Sequence, residues 1–214
     1  MTSMHGPGPE TALLVVDPQN DFCPGGALAV PGGHEVIPLI NRIAPRFRHV
    51  LLTQDWHPPG HASFASSHPG RQPFETVDFP YGPQTLWPEH CVQGTPGADF
   101  HPDLALPGAV LTLRKGFHQD IDSYSAFLEN DRRTPTGLAG YLRERGIRRL
   151  VLTGLALDYC VHYSAMDGRA AGFEVVVLAD ACRAIDLEGS LARARREMAT
   201  AGARLTTCAE QGLA

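Results

Sequence analysis

Short apolar runs and longer amphipathic stretches alternate along most of this chain. Six runs rich in leucine, alanine and β-branched residues predict strands buried on both faces, at residues 11–16, 50–53, 109–113, 150–153, 174–178 and 203–207. Four stretches between them predict helices, at residues 34–47, 136–145, 159–171 and 187–201. This alternation predicts an α/β fold, a three-layer α/β/α arrangement around a mostly parallel sheet of about six strands.

One segment, from about residue 57 to residue 107, interrupts the alternation. It is rich in proline, glycine, histidine and aromatic residues, and it has no sustained period. A loop of this length is uncommon unless it is functional or disordered, and the aromatic residues Phe74, Phe79, Tyr81 and Trp87 favour order. We therefore predict a single domain at residues 11–214 with an ordered insertion at 57–107, preceded by a flexible leader at residues 1–10.

Composition excludes several classes of function. A net charge of −5 over 214 residues argues against nucleic acid or an acidic membrane surface as the main partner. No apolar run approaches the ~20 residues of a membrane span. The five scattered cysteines indicate a reducing compartment, so we expect a cytoplasmic protein without disulfides. The oligomeric state stays open, and a homo-oligomer is compatible with the sequence.

Three polar residues follow predicted strands, and one of them is a thiol. Cys160 lies at a strand-to-helix junction, where the helix dipole favours the thiolate. Asp17 and Lys115 follow two other strands, and the carboxyl ends of parallel strands meet at one edge of the sheet. A carboxylate could accept the thiol proton there, while an ammonium stabilises the thiolate. The alternatives are a cysteine packed as a small hydrophobe and two strand-end residues that face water.

A second group of polar residues has the composition of a metal site. Asp55 and His57 are two positions apart, so in an extended segment their side chains point to the same side. His61 follows, and His90 lies in the later Trp-Pro-Glu-His-Cys segment. One aspartate and two histidines form a plausible catalytic metal set. The alternative is a chance cluster of polar loop residues, because the chain contains ten histidines.

These segments together resemble the nicotinamidases of the isochorismatase-like cysteine hydrolase superfamily. The matching pieces are DPQNDFCPGGALAV from Asp17, TQDWHPPGHASFASSHPG from Thr53, LWPEHCVQGTPGADFHPDL from Leu86, RKGFHQDIDSYSAF from Arg114, ENDRRTPTGLAGYLRERGI from Glu129 and GLALDYCVHYSAMDG from Gly154. They cover nearly the whole chain from Thr11 onward, in the order of the family. The Asp-Trp-His and Trp-Pro-x-His-Cys segments are the most specific to nicotinamidases.

The resemblance implies a role for each matching residue. Cys160 corresponds to the nucleophile, Asp17 to the general base and Lys115 to the third member of the triad. The backbone N–H groups of Ala156 and Cys160 correspond to an oxyanion hole, after a cis peptide bond between Leu155 and Ala156. Leu157 departs from the family, which often has threonine at this position.

The resemblance also implies a cofactor and a substrate pocket. Asp55, His57 and His90 correspond to ligands of one divalent ion, preferably Zn2+, with Fe2+ or Mn2+ as alternatives, and His61 matches a histidine that some members place near the metal. The predicted substrate contacts are Phe22, Trp87, Leu155 and Tyr124.

The implied reaction is the conversion of nicotinamide to nicotinic acid and ammonia through a cysteine thioester, a step of NAD salvage. A relative that acts on an N-carbamoyl compound or on isochorismate is the nearest alternative. A non-catalytic metal-based or thiol-based sensor is an alternative from another class of function.

Overall fold

A parallel six-stranded sheet is the centre of the fold. The computed structural model describes residues 7–213. Its eight strands are β1 (Thr11–Val16), β2 (His49–Asp55), β3 (Thr76–Phe79), β4 (Gly82–Thr85), β5 (Ala109–Lys115), β6 (Arg149–Leu155), β7 (Glu174–Arg183) and β8 (Arg204–Thr206). Six of them form the main sheet in the order β5-β2-β1-β6-β7-β8, and each neighbouring pair is parallel. The predicted six-stranded sheet is therefore confirmed.

Helices cover both faces of this sheet. They are α1 (Val36–Ile43), α2 (Leu138–Glu144), α3 (Cys160–Ala170) and α4 (Ser190–Thr200). Alternate residues of β1 enter different cores, because successive side chains of a strand point to opposite faces. Leu13 and Val15 pack in the core that contains the α1 side chains, whereas Leu14 packs in the core that contains those of α2, α3 and α4. The three-layer α/β/α arrangement is confirmed.

Several element boundaries differ from the predicted ones. The predicted helix at 34–47 is α-helical only from Val36 to Ile43, with short 3-10 turns on both sides, and Pro45 lies in the second turn. Proline cannot donate the backbone hydrogen bond that would continue the helix. The helix predicted at 136–145 begins at Leu138, after Gly137 with a φ of 92°. Four strands extend further than predicted, so Asp55 and Lys115 are the last residues of β2 and β5.

The insertion has secondary structure of its own. Strands β3 and β4 pair as an antiparallel hairpin, and isolated bridges join Phe64 to Trp87 and His57 to Val92. The domain boundaries stay a prediction, and residues 1–6 of the predicted leader lie outside the described residues. No helix between residues 7 and 213 is long and apolar enough to cross a membrane.

Candidate active site

Three strand ends bring a thiol, a carboxylate and an ammonium together. Cys160 is the first residue of α3 and is 6% exposed, whereas Asp17 and Lys115 are fully buried. Nζ of Lys115 lies 2.9 Å from Oδ2 of Asp17 and 3.5 Å from Sγ of Cys160. Strand β5 is two places from β1 in the sheet, so the long lysine side chain crosses the end of β2 to reach them. The predicted catalytic residues therefore lie at one site.

The carboxylate of Asp17 is fixed by the neighbouring strand. Thr53 in β2 donates its hydroxyl hydrogen to Oδ1 of Asp17 at 2.6 Å, and its Oγ1 accepts the backbone N–H of Asp17 at 3.2 Å. Oδ2 accepts no hydrogen bond from any residue between 7 and 213 apart from its ion pair with Lys115. An oxygen of this carboxylate lies within 4.8 Å of Sγ of Cys160. Asp17 is thus placed to accept the thiol proton.

Burial governs the protonation of this site. It raises the pKa of the Cys160 thiol well above its usual range, and the Lys115 ammonium offsets this only in part. The helix dipole was expected to favour the thiolate, and burial acts on the pKa of the thiol in the opposite direction. Burial also raises the pKa of Asp17, while Lys115 opposes that change. Burial thus favours the neutral thiol beside Asp17.

A set of metal-binding atoms lies beside the triad. Oδ2 of Asp55 is 3.7 Å from Nε2 of His57 and 3.9 Å from Nε2 of His90. The Nδ1 atoms of the two histidines lie 2.9 Å and 2.8 Å from the carbonyl oxygens of Gly116 and Pro88. Because a carbonyl oxygen only accepts, both Nδ1 atoms carry the hydrogen, and the Nε2 lone pairs are directed towards Asp55.

The donor set fits a divalent transition-metal ion. Tetrahedral zinc holds its ligand atoms about 3.4 Å apart, so the atoms of Asp55, His57 and His90 need to move only slightly. Burial lowers the pKa of His90 to about 4, which keeps the imidazole in the neutral form that binds metal. For His57, burial also acts to lower the pKa, but the contact with Asp55 outweighs it and the pKa is raised. One carboxylate and two imidazoles suit zinc, iron or manganese.

Asp55 also belongs to a second group of possible ligands, with Asp17 and Cys160. The ammonium of Lys115 contacts all three of these side chains. A buried cation is thus already present there, and it would repel a metal ion. Of the two groups, Asp55, His57 and His90 therefore suit a metal ion better.

A small aromatic pocket connects the thiol with the metal-binding atoms. Its empty space is about 330 Å³, including the open mouth. Cys160, Asp55 and His90 all line it. Aromatic rings line it too, and those of Trp87 and Tyr159 meet edge to face at 4.9 Å. The pocket suits a flat ring with polar groups at both ends.

Two backbone N–H groups face no protein acceptor. The peptide bond between Leu155 and Ala156 is cis, as the resemblance implied. Within residues 7–213, the N–H groups of Ala156 and Cys160 donate to no other protein group. Both residues line the pocket. These donors are available to a developing oxyanion.

A model of the isochorismatase domain matches residues 11–210. The chain belongs to this family. The isochorismatase-family chain is 57% identical over 191 residues to the nicotinamidase of Acinetobacter baylyi, with 89% of each chain covered. It is 53% identical to the solved nicotinamidase and pyrazinamidase of Acinetobacter baumanii, with a TM-score of 0.94 over 95% of this chain and 98% of that one. A pyrazinamidase of Pyrococcus horikoshii in complex with zinc is 37% identical, with a TM-score of 0.74 over 92% and 99% of the two chains.

Two predicted site residues lie elsewhere in this isochorismatase-family chain. Nδ1 of His61 accepts hydrogen bonds from Ser63, and Nε2 lies 2.9 Å from the carbonyl oxygen of His118. Both ring nitrogens of His61 thus have protein partners, and the structure does not group His61 with Asp55, His57 and His90. Its ring packs against His57 at 4.6 Å between ring centroids. The side chain of Leu155 is buried in the core and does not line the pocket, because alternation along β6 turns it inward. Phe22, Trp87 and Tyr124 do line the pocket.

Residues that were not predicted from the sequence hold the site residues in place. Thr53 is a polar residue inside an apolar strand, which was a readable signal for a partner of Asp17. Gln19 donates to the backbone carbonyl of Asp55 and accepts from its N–H, both at 2.8 Å. Oδ2 of Asp21 accepts the backbone N–H of Cys91 at 2.7 Å and so fixes the residue after His90. No pattern in a single sequence indicated these long-range contacts.

Proposed function

We propose that this chain hydrolyses nicotinamide to nicotinic acid and ammonia, with Cys160 as the nucleophile and a thioester as the intermediate. The observation that carries the proposal is the buried ammonium of Lys115, which contacts both Asp17 and Cys160 at the end of an aromatic pocket. The relatives that are named nicotinamidase support the substrate.

Acylation begins with a proton transfer. Asp17 accepts the proton of Sγ while the sulfur attacks the amide carbon, and Lys115 stabilises the anionic charge. The N–H groups of Ala156 and Cys160 hold the developing oxyanion, and the loss of one such donor typically costs ~3 kcal/mol. The C–N bond then breaks as Asp17 gives its proton to the nitrogen, so that ammonia leaves and the acyl group stays on sulfur.

Deacylation uses the same base. Asp17 accepts a proton from water as the water oxygen attacks the thioester carbon. The C–S bond breaks, nicotinic acid leaves, and the proton on Asp17 returns to the sulfur of Cys160. Lys115 keeps its charge throughout, because Asp17 and Asp55 raise its pKa well above the usual range despite its burial.

We also propose that Asp55, His57 and His90 hold one divalent ion, preferably zinc, with iron or manganese as alternatives. The zinc in the Pyrococcus horikoshii structure supports this choice. When bound, such an ion supplies a Lewis acid for the pyridine nitrogen and so orients the amide towards Cys160. Phe22, Trp87 and Tyr124 pack around the ring.

Ammonia release from a small panel of amides tests the proposal. The panel contains nicotinamide, benzamide, which lacks the ring nitrogen, and an N-carbamoyl amino acid, each with and without a chelator. We expect release from nicotinamide, little from benzamide, and loss of activity with the chelator. Release from the N-carbamoyl compound alone would favour the other superfamily activity. No release from any amide, with metal bound and Cys160 reactive towards alkylation, would favour a sensor.

A further inference from the structure

A buried glutamine of the insertion connects the hairpin with the wall of the pocket. Gln84 lies in β4 and is 1% exposed. Its Nε2 lies 2.7 Å from Oδ2 of Asp122, 2.8 Å from the carbonyl oxygen of Thr85 and 2.9 Å from the hydroxyl oxygen of Tyr124, so its two hydrogens are shared among three acceptors. Two of these three partners, Asp122 and Tyr124, line the pocket.

The oxygen of the same amide accepts a second set of hydrogen bonds. Oε1 of Gln84 accepts from the hydroxyl of Tyr81 at 3.2 Å and from Nδ2 of Asn130 at 3.1 Å. Oδ1 of Asn130 in turn accepts the backbone N–H of Tyr124 at 3.1 Å. Gln84 therefore holds Tyr124 at its hydroxyl directly and at its backbone through Asn130.

Only an amide can make both sets of contacts. The carboxylate of Asp122 accepts hydrogen bonds only, which orients Nε2 towards it and Oε1 towards Asn130. A glutamate at position 84 would place a carboxylate against Asp122, and an apolar residue would leave all of these groups without their partner.

The contacts continue to the catalytic lysine. Oδ1 of Asp122 accepts the backbone N–H of Ser123 at 2.8 Å, and the carbonyl oxygen of Ser123 accepts from Nζ of Lys115 at 2.9 Å. The segment 122–124 is thus held between Gln84 on one side and Lys115 on the other.

We propose that Gln84 is a positioning residue for substrate binding, which fixes the ring of Tyr124 against Trp87 and so sets the width of the pocket. The hydroxyl oxygen of Tyr124 also accepts from Nε1 of Trp87 at 3.0 Å, so both donors determine where this ring lies. The inference rests on the proposed function, because the pocket width matters through the binding of nicotinamide. It assigns the hairpin of the insertion to substrate recognition and leaves the chemistry to Cys160 and Asp17.

The test measures kcat and KM for nicotinamide in Gln84→Met, Tyr124→Phe and the double variant, with metal content confirmed in each. The Met variant should raise KM by at least about fivefold, because it removes the hydrogen bond to Tyr124 together with the other contacts of Gln84, with a smaller change in kcat. In the Tyr124→Phe background the same substitution should raise KM by a smaller factor, because the hydroxyl that Gln84 contacts is already gone and only the contact through Asn130 remains. Arg71→Ala, which removes an exposed ion pair with Glu75 in the insertion, is the matched control and should leave both constants unchanged.

An equal rise in KM in both backgrounds would overturn the inference, as would unchanged kinetics or a loss of kcat alone. If Gln84→Met does not fold, Gln84→Asn, which retracts the amide by one methylene, is judged by the same criteria. If the unmodified protein releases no ammonia from nicotinamide, the proposed function fails. The positioning role is then judged by the near-ultraviolet circular dichroism of Trp87 and Tyr124. That spectrum should change in Gln84→Met and not in Arg71→Ala, and an unchanged spectrum in the Met variant would refute the role.

Discussion

Nζ of Lys115 lies 2.9 Å from Oδ2 of Asp17, and neither side chain is exposed to solvent. The same ammonium contacts Asp55, one of the three residues proposed to hold the metal. One buried cation therefore neutralises the proposed base and a proposed metal ligand at the same time. Removing a single partner from a buried ion pair is costly, because it leaves an uncompensated charge shielded from bulk solvent.

Replacing Lys115 with methionine should therefore affect both stability and activity. We expect a loss of about 3 kcal/mol in the free energy of unfolding, or roughly 6–12 °C in Tm, because Asp17 and Asp55 lose their shared counter-charge. We expect kcat to fall by at least about 10³-fold, since the thiolate loses its stabilising cation. Thermal unfolding and ammonia release measure the two effects.

A second substitution separates the two effects of Lys115. Adding Asp17→Asn to Lys115→Met removes one of the unpaired carboxylates, so it should restore part of the lost Tm without restoring activity. A double variant that is no more stable than Lys115→Met would contradict the shared-charge interpretation.

Cys160→Ala should abolish ammonia release and leave the fold intact. The side chain is the only sulfur in the pocket, and loss of a covalent nucleophile lowers turnover by at least about 10⁴-fold. Cys208→Ala is the matched control, because Cys208 is also a buried free cysteine but does not line the pocket. Near-normal turnover in Cys160→Ala would refute the nucleophile assignment.

The sequence predicted the layers of the fold and the residues of the site. It predicted less well the residues that hydrogen-bond to the site residues and hold them in place. Apolar runs mark buried strands directly, and Asp17, Asp55 and Lys115 are at or next to the ends of such runs. The hydrogen bonding of the His61 ring involves the carbonyl oxygen of His118 instead, which is 57 positions away along the chain. Gln84 has functional neighbours only because the chain folds, so no local spacing could identify it, whereas Thr53 was visible as a polar residue inside an apolar strand.

His57→Ala should release the metal and raise KM for nicotinamide. It removes one of the three donor atoms, which come from Asp55, His57 and His90, and we expect metal affinity to fall by at least about 100-fold, more than for the loss of a supporting contact. Elemental analysis after dialysis measures the bound metal. His61→Gln is the control, and it should retain the metal because His61 contacts only protein groups through its ring nitrogens. Full metal content in His57→Ala would contradict the ligand assignment.

Thr53→Val should shift the acidic limb of the pH profile of kcat/KM to higher pH. Asp17 must be ionised to accept the thiol proton, so activity falls as the pH drops through its pKa. Burial raises that pKa, and the hydroxyl of Thr53 acts against the increase by donating to the carboxylate. Valine removes the donor with nearly the same shape, so the pKa should rise further, by about 0.5–1 unit for one hydrogen bond.

Thr153→Val provides the matched control for this shift. Thr153 lies in β6 on the other side of β1, and its buried hydroxyl has no hydrogen-bond partner within the described part of the chain. Its replacement should leave the pH profile unchanged and hold or slightly raise Tm, because an unsatisfied buried polar group is removed. Equal shifts in the two variants would show that the acidic limb responds to general changes in the sheet. A shift in Thr53→Val alone would identify the limb as the ionisation of Asp17.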